Sequence, residues 1–148
     1  MTMNRRPDQP DHPEHVLVDS ITFEFLNQTS TTTPPRADLR YDTADPFAVT
    51  MAFHTGWQDV RWTFARELLL EGLYEPTGDG DVHVWPCLSS TGVAVVIVEL
   101  ASTEGEVLLQ LSSRAVHQFV TRTMSVVPVG DESRFVDLDE ALSRMLGS

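Results

Sequence analysis

Five histidines and one cysteine are the most reactive side chains in this sequence, and their spacing decides what they can do. A metal site needs several imidazoles, thiolates or carboxylates brought to one point. His12, His15, His54, His83 and His117 show no spacing that a helix or loop turns into a ligand set. His54 and His83 meet only if two strands bring them together across a sheet. Cys87 has no second cysteine for a disulfide. As a nucleophile it needs a base and an electropositive setting, and neither Trp85-Pro86 nor Leu88-Ser89-Ser90 supplies one.

Gly78-Asp79-Gly80-Asp81 carries the glycines and acids of a calcium or phosphate loop. It lacks the carboxylate register of the first. The second ends in Gly-Lys-Ser/Thr, and all ten basic residues of this chain are arginine. A tight hairpin turn accounts for it. There is no Gly-x-Ser-x-Gly elbow, and the 22 acidic residues are spread without an evident acid/base pair. The expectation is a protein with no catalytic residues, no cofactor and no metal, whose partner-binding residues are not legible.

The chain has 148 residues, 41% of them hydrophobic, enough to bury a substantial core. Acids outnumber bases 22 to 10, and a net charge of −12 repels phosphate backbones. Trp57, Trp62, Trp85, Tyr41 and Tyr74 are available for stacking, but the arginines are dispersed among acids, so core or interface placement fits these aromatics better. The longest aliphatic run, Val93 to Val98, is far short of the about 20 residues that span a membrane. Arg5-Arg6 is followed by no apolar segment of an export signal, so a cytoplasmic protein is expected. The absence of lysine, with two isoleucines against seventeen valines, reflects a GC-rich genome.

Residues 1–13 read as a disordered tail and residues 14–148 as a single domain. A strand is expected over Val16 to Leu26, followed by a mobile Thr/Ser/Pro-rich loop from Thr29 to Pro35. Val49, Met51 and Phe53 form a second strand and Val60, Trp62 and Phe64 a third, joined at Thr55-Gly56. Ala65, Leu68, Leu69 and Leu73 mark one face of a short helix that Gly72 stops in the left-handed conformation. After a turn over Pro76 to Gly80 come strands at Asp81–Trp85, Val93–Leu100 and Val107–Leu111. A helix capped by Ser113 follows, with Val116, Phe119, Val120 and Met124 on one stripe. Beyond Pro128 and Gly130, Asp137 and Glu140 have capping-box spacing for a last helix, with Leu138, Leu142, Met145 and Leu146 on its apolar face.

The pattern predicts an α+β fold: two antiparallel β-sheets from a duplicated βββα unit plus a C-terminal helix. The strand at Val93–Leu100 is apolar on both faces, so a second layer or another subunit must cover its outer side, and a homo-oligomer is the favoured reading.

Three stretches carry a resemblance beyond these patterns. They are Leu39-Arg40-Tyr41-Asp42-Thr43-Ala44-Asp45-Pro46-Phe47-Ala48-Val49, the segment from Phe64-Ala65-Arg66-Glu67-Leu68-Leu69 to Trp85-Pro86, and Phe135-Val136-Asp137-Leu138-Asp139. Together they resemble the SsgA-like sporulation and cell-division regulators of filamentous actinobacteria, over roughly residues 15 to 146. The resemblance implies a non-enzymatic regulator that marks septum sites and recruits the tubulin-like protein FtsZ, acting with an SsgA-type protein. It also implies a fold similar to the Whirly and mitochondrial guide-RNA-binding proteins, assembled as a homo-oligomer, with a trimer expected. A single-stranded nucleic-acid binder of that fold is the alternative. The turn at Glu104-Gly105-Glu106 and the outer polar strand positions are candidates for a partner surface. Arg66 and Asp42 lie in the family-like motifs, where a structural salt bridge or a turn is the favoured role.

Overall fold

The computed structural model describes residues 16–26, 35–54 and 59–146, without the side chains of 59, 137–140 and 142–143. The expected tail, most of the loop after Leu26, the Thr55-Gly56 turn and the side chains of Asp137, Leu138, Glu140 and Leu142 lie outside these residues.

Eight antiparallel strands follow one another as β1 (Val16–Phe25), β2 (Arg36–Asp42), β3 (Ala48–His54), β4 (Asp59–Ala65), β5 (Thr77–Asp79), β6 (Val82–Leu88), β7 (Ala94–Ser102) and β8 (Gly105–Ser112). The helices are α1 (Arg66–Gly72), α2 (Ser113–Val126) and α3 (Glu132–Met145). The hydrogen-bonded strand order is β4-β3-β2-β1-β8-β7-β6-β5. Each half is a meander in which sequence neighbours pair, and β1 belongs to both halves. Its residues from Val16 to Thr22 pair with β2, and Phe23, Glu24 and Phe25 pair with Leu111, Gln110 and Leu109 of β8.

Four strands, not three, precede each of α1 and α2. Two strands separate the expectation from the structure. In β2, Ala37, Leu39 and Tyr41 are buried between the more exposed Asp38, Arg40 and Asp42, a half-buried alternation masked by its charged residues. The turn after Pro76 is itself strand β5, closed against β6 by a two-residue loop in which Gly80 has φ +62°.

The core lies on the face shared by the odd residues of β1, β2 and β3 and the even residues of β4, β6 and β7. Ile21, Leu39, Met51, Phe64, Val84 and Val98 meet there with Val116, Phe119 and Val120 of α2. Helix α2 packs on β1, β7 and β8, and α1 packs on β5 and β6 beside the end of β4 that leads into it. Gly72 ends α1, but for another reason than expected. It does not adopt positive φ, and a Cβ there would stand 2.2 Å from Cγ1 of Val84, so the glycine lets the helix approach β6 closely.

The cap of α2 is Ser112, one residue before the expected Ser113; its hydroxyl accepts from the Ala115 N–H at 3.2 Å. Helix α3 starts at Glu132, placing Asp137 and Glu140 inside the helix rather than at its cap. Gly130 (φ +100°) turns the chain, and its N–H donates to Glu132 Oε1 at 2.8 Å, which fixes the earlier start. Met145 and Leu146, expected on an apolar face, are 79% and 83% exposed.

The two-faced strand is β7, and one chain already buries both its sides. Val96 and Val98 sit in the core, while Val95 and Ile97 on the outer face are 5% and 2% exposed. In the sheet Ile97 is flanked by Trp85 and Gln110, and Val95 by Cys87 and Ser112. This strand needs no second subunit to cover it.

Candidate partner-binding surface

Among the described residues this fold assembles two sets of polar side chains and an apolar cleft. The first polar set is internal. Arg66 opens α1, and its side chain is 2% exposed. Its Nη2 donates to Glu132 Oε2 at 2.6 Å, and its Nη1 donates to the Val127 carbonyl at 2.8 Å and to Thr123 Oγ1 at 3.4 Å. The guanidinium also lies 5.1 Å from the centre of the Tyr41 ring. Val127 is the C-cap of α2, whose last turn contains no basic residue, and Glu132 is in the first turn of α3. Arg66 thus brings a cation to one helix C-terminus while its partner brings an anion to the next N-terminus, the favourable sign at both ends.

Burial alone would raise the Glu132 carboxyl, but the Arg66 hydrogen bond, the backbone N–H groups at 132 and 130 and the Arg66 charge outweigh it and hold the group below its ordinary value. Burial pushes Tyr41 up to about 12 against the opposing pull of Arg66. Its hydroxyl donates to the Pro46 carbonyl at 2.9 Å. Asp42 holds the same turn, accepting from the Ala44 N–H at 2.9 Å. Arg66 and Asp42 are therefore structural, one as a salt bridge and one as a turn.

The outer polar positions form cross-strand pairs. His54 Nε2 meets Asp38 Oδ2 at 2.9 Å, Thr50 Oγ1 lies 2.9 Å from Thr63 Oγ1, and His83 Nδ1 lies 3.3 Å from Glu99 Oε1. His54 and His83 stand in opposite halves of the sheet and do not meet. Among the described residues no three His, Cys, Asp or Glu side chains gather as a metal cage. Cys87 is exposed and its thiol donates to the Leu88 carbonyl at 3.4 Å.

The cleft has a volume of about 440 Å³. Phe25, Phe53, Val60 and Trp62 line it from the first half of the sheet, and Leu100, Val107 and Leu109 from the second. Ser102, Glu104, Gly105 and Glu106 of the β7–β8 turn complete the lining, so the candidate acidic turn stands beside an apolar hollow. Glu106 also shares a hydrogen bond with Glu99, which, with the charge of that neighbour, raises its pKa. The turn is legible from its residues and the hollow is not, because Phe25, Phe53, Val60 and Trp62 have the alternation of ordinary core residues. Nothing in that period tells a filled position from one beside an opening.

An α+β protein built mainly of antiparallel sheet, with an acidic surface and an apolar cleft, is the class these features define. A family model described as the Streptomyces sporulation and cell division protein SsgA matches residues 36–132, from the start of β2 to the first residue of α3. The chain belongs to this SsgA-like family. It is similar to the sporulation-specific cell division protein SsgB of Streptomyces coelicolor, with 52% identity over 127 residues, 85% of this chain and 92% of that protein. The SsgB of Frankia casuarinae is 41% identical over 133 residues, covering 86% of this chain and 92% of the relative.

A solved structure from work on SsgB mutations and longitudinal cell division during sporulation of Streptomyces coelicolor matches at TM-score 0.77 and 45% identity, covering 85% of this chain and 99% of that one. The SsgA-like sporulation-specific cell division protein of Thermobifida fusca matches at TM-score 0.81 and 30% identity, covering 92% and 99%. Among the described residues no helix is long and apolar enough to cross a membrane.

Proposed function

We propose that this chain is a non-enzymatic regulator of sporulation-specific cell division that marks septum sites in the cytoplasm and recruits FtsZ to them, acting with an SsgA-type protein. The observation that carries this reading is the 52% identity to an SsgB over most of both chains. The chemistry of the surface supports it: an apolar cleft beside acidic side chains suits a protein partner better than a phosphate backbone, and the net charge of −12 weighs against the alternative of single-stranded nucleic-acid binding.

The working form is a homo-oligomer, with a trimer expected, built on a Whirly-like arrangement of the two sheet halves. Several copies of one weak patch on a single particle engage a polymer far more tightly than one copy does. Membrane proximity then comes through partners.

Co-sedimentation with GTP-assembled FtsZ from the same organism, with light scattering to weigh the free protein, tests the proposal. Polymer-dependent pelleting of an oligomer is the expected result. A chain that stays in the supernatant at every FtsZ concentration overturns direct recruitment.

A further inference from the structure

Strand β4 ends the strand order, and its outer edge pairs with nothing among the described residues. The register shows which backbone groups that edge presents. The Arg66 N–H donates to the Phe47 carbonyl at 2.7 Å, so positions 47 and 66 form a hydrogen-bonded pair at the end of the β3–β4 ladder. Such pairs alternate along an antiparallel ladder, so Val60, Trp62 and Phe64 turn their N–H and C=O groups toward β3. Arg61 and Thr63 turn theirs away. The contact between the Thr50 and Thr63 hydroxyls agrees, since side chains approach more closely in the non-hydrogen-bonded pairs. No proline interrupts this edge and no described strand covers it.

The apolar cleft borders the same strand, because Val60 and Trp62 line it. An open strand edge beside an apolar hollow is the arrangement that binds an extended peptide: main-chain hydrogen bonds supply affinity, and alternate side chains fill the hollow. Its volume of about 440 Å³ lies within the about 300–1,000 Å³ of ordinary binding pockets. Glu104 and Glu106 in its lining favour cationic groups on the incoming segment. A second copy of this chain is the poorer occupant, since it brings another net charge of −12 to an acidic rim.

We propose that the edge of β4 and the adjoining cleft receive an extended segment of a partner protein, apolar at alternate positions and flanked by Lys or Arg, added as a further strand of the sheet. This does not depend on FtsZ being the partner.

The test uses the full chain and a fluorescein-labelled synthetic peptide of about eight residues, alternating valine or isoleucine with lysine or arginine. A second peptide carries the same side chains with alternate backbone nitrogens methylated, which keeps charge and apolarity but removes the main-chain donors. Fluorescence polarisation is expected to show saturable binding of the first and at least about tenfold weaker binding of the second. The variant Arg61→Pro, which removes an outward N–H at a position where an edge strand accepts proline, is expected to lose the same factor with unchanged circular dichroism.

Equal binding of both peptides overturns the proposal, because charge alone then accounts for it. Absence of binding overturns it, as does an Arg61→Pro variant that changes the particle mass in light scattering while leaving peptide binding intact. If that variant does not fold, the two peptides on the native chain decide the matter.

Discussion

Replacing Arg66 with methionine separates its charge from its packing, because the apolar stem is largely kept while the guanidinium is lost. The deleted group is 2% exposed and joins Glu132, the Val127 carbonyl and Thr123. Removing one member of a buried ion pair costs about 3–5 kcal/mol, since the other is left desolvated and unpaired. In a domain of this size each kcal/mol moves Tm by roughly 3 °C, so a fall of about 9–15 °C is expected. Glu132→Gln is milder, about 1–3 kcal/mol, because its single amide oxygen can still accept from one of the two donors, Arg66 at the Oε2 position or Gly130 at Oε1, while the other bond is lost.

The pH dependence has a fixed sign. The folded-state pKa of Glu132 is lowered, so its contribution is present above the ordinary value of 4.5 and is lost as pH falls through the lowered one. Urea denaturation of both variants near neutral pH, with an acid titration of the parent, measures these effects. An Arg66→Met loss below about 1 kcal/mol at unchanged m-value would refute the clamp, because no buried pair would then be holding α1 to the α2–α3 junction.

Three further outcomes are expected. Tyr41 has its folded-state pKa raised to about 12, so the stability from its neutral form is complete below the ordinary value of 10.0 and disappears as pH rises through 12; phenolate absorbance and circular dichroism should change together there. Gly72→Ala forces a Cβ to within 2.2 Å of the Val84 side chain and should destabilise by about 1–3 kcal/mol in urea, whereas a position governed by helix propensity alone would gain stability. Ser112→Ala removes the cap of α2 and should cost about 1 kcal/mol in the same measurement, while Ser113→Ala at the neighbouring position should cost less.

Much of the fold was legible because strand alternation and helix period leave local marks. β1, β3, β4, β7, β8 and α2 lie close to where those periods put them. What escaped was set by distant contacts. Gly72 looks like a helix stop until Val84 of β6 is placed against it, and α3 begins where Arg66, distant in sequence, meets Glu132. The double burial of β7 suggested a second subunit because no local pattern reveals that Trp85 and Gln110 flank Ile97. The acidic turn was visible as a turn, and the cleft beside it was not. A void is a property of packing between halves of the sheet that no single strand encodes.

The junction at β1 has a consequence for how this chain reaches its folded state. Among the described residues every other strand pairing joins sequence neighbours, but Phe23, Glu24 and Phe25 must find Leu111, Gln110 and Leu109 from the far half of the sheet. The two meanders have low contact order and can zip locally, whereas this short contact carries the cost of closing the largest loop. On a ribosome, the first four strands emerge long before β8 exists, so β1 must wait with the edge at Phe23–Phe25 unpaired. The salt bridge between Asp19 and Arg122 spans a still longer separation and forms only after α2 has emerged. Closure of β1 onto β8 is thus the step in which two local hairpin stacks become one cooperative body.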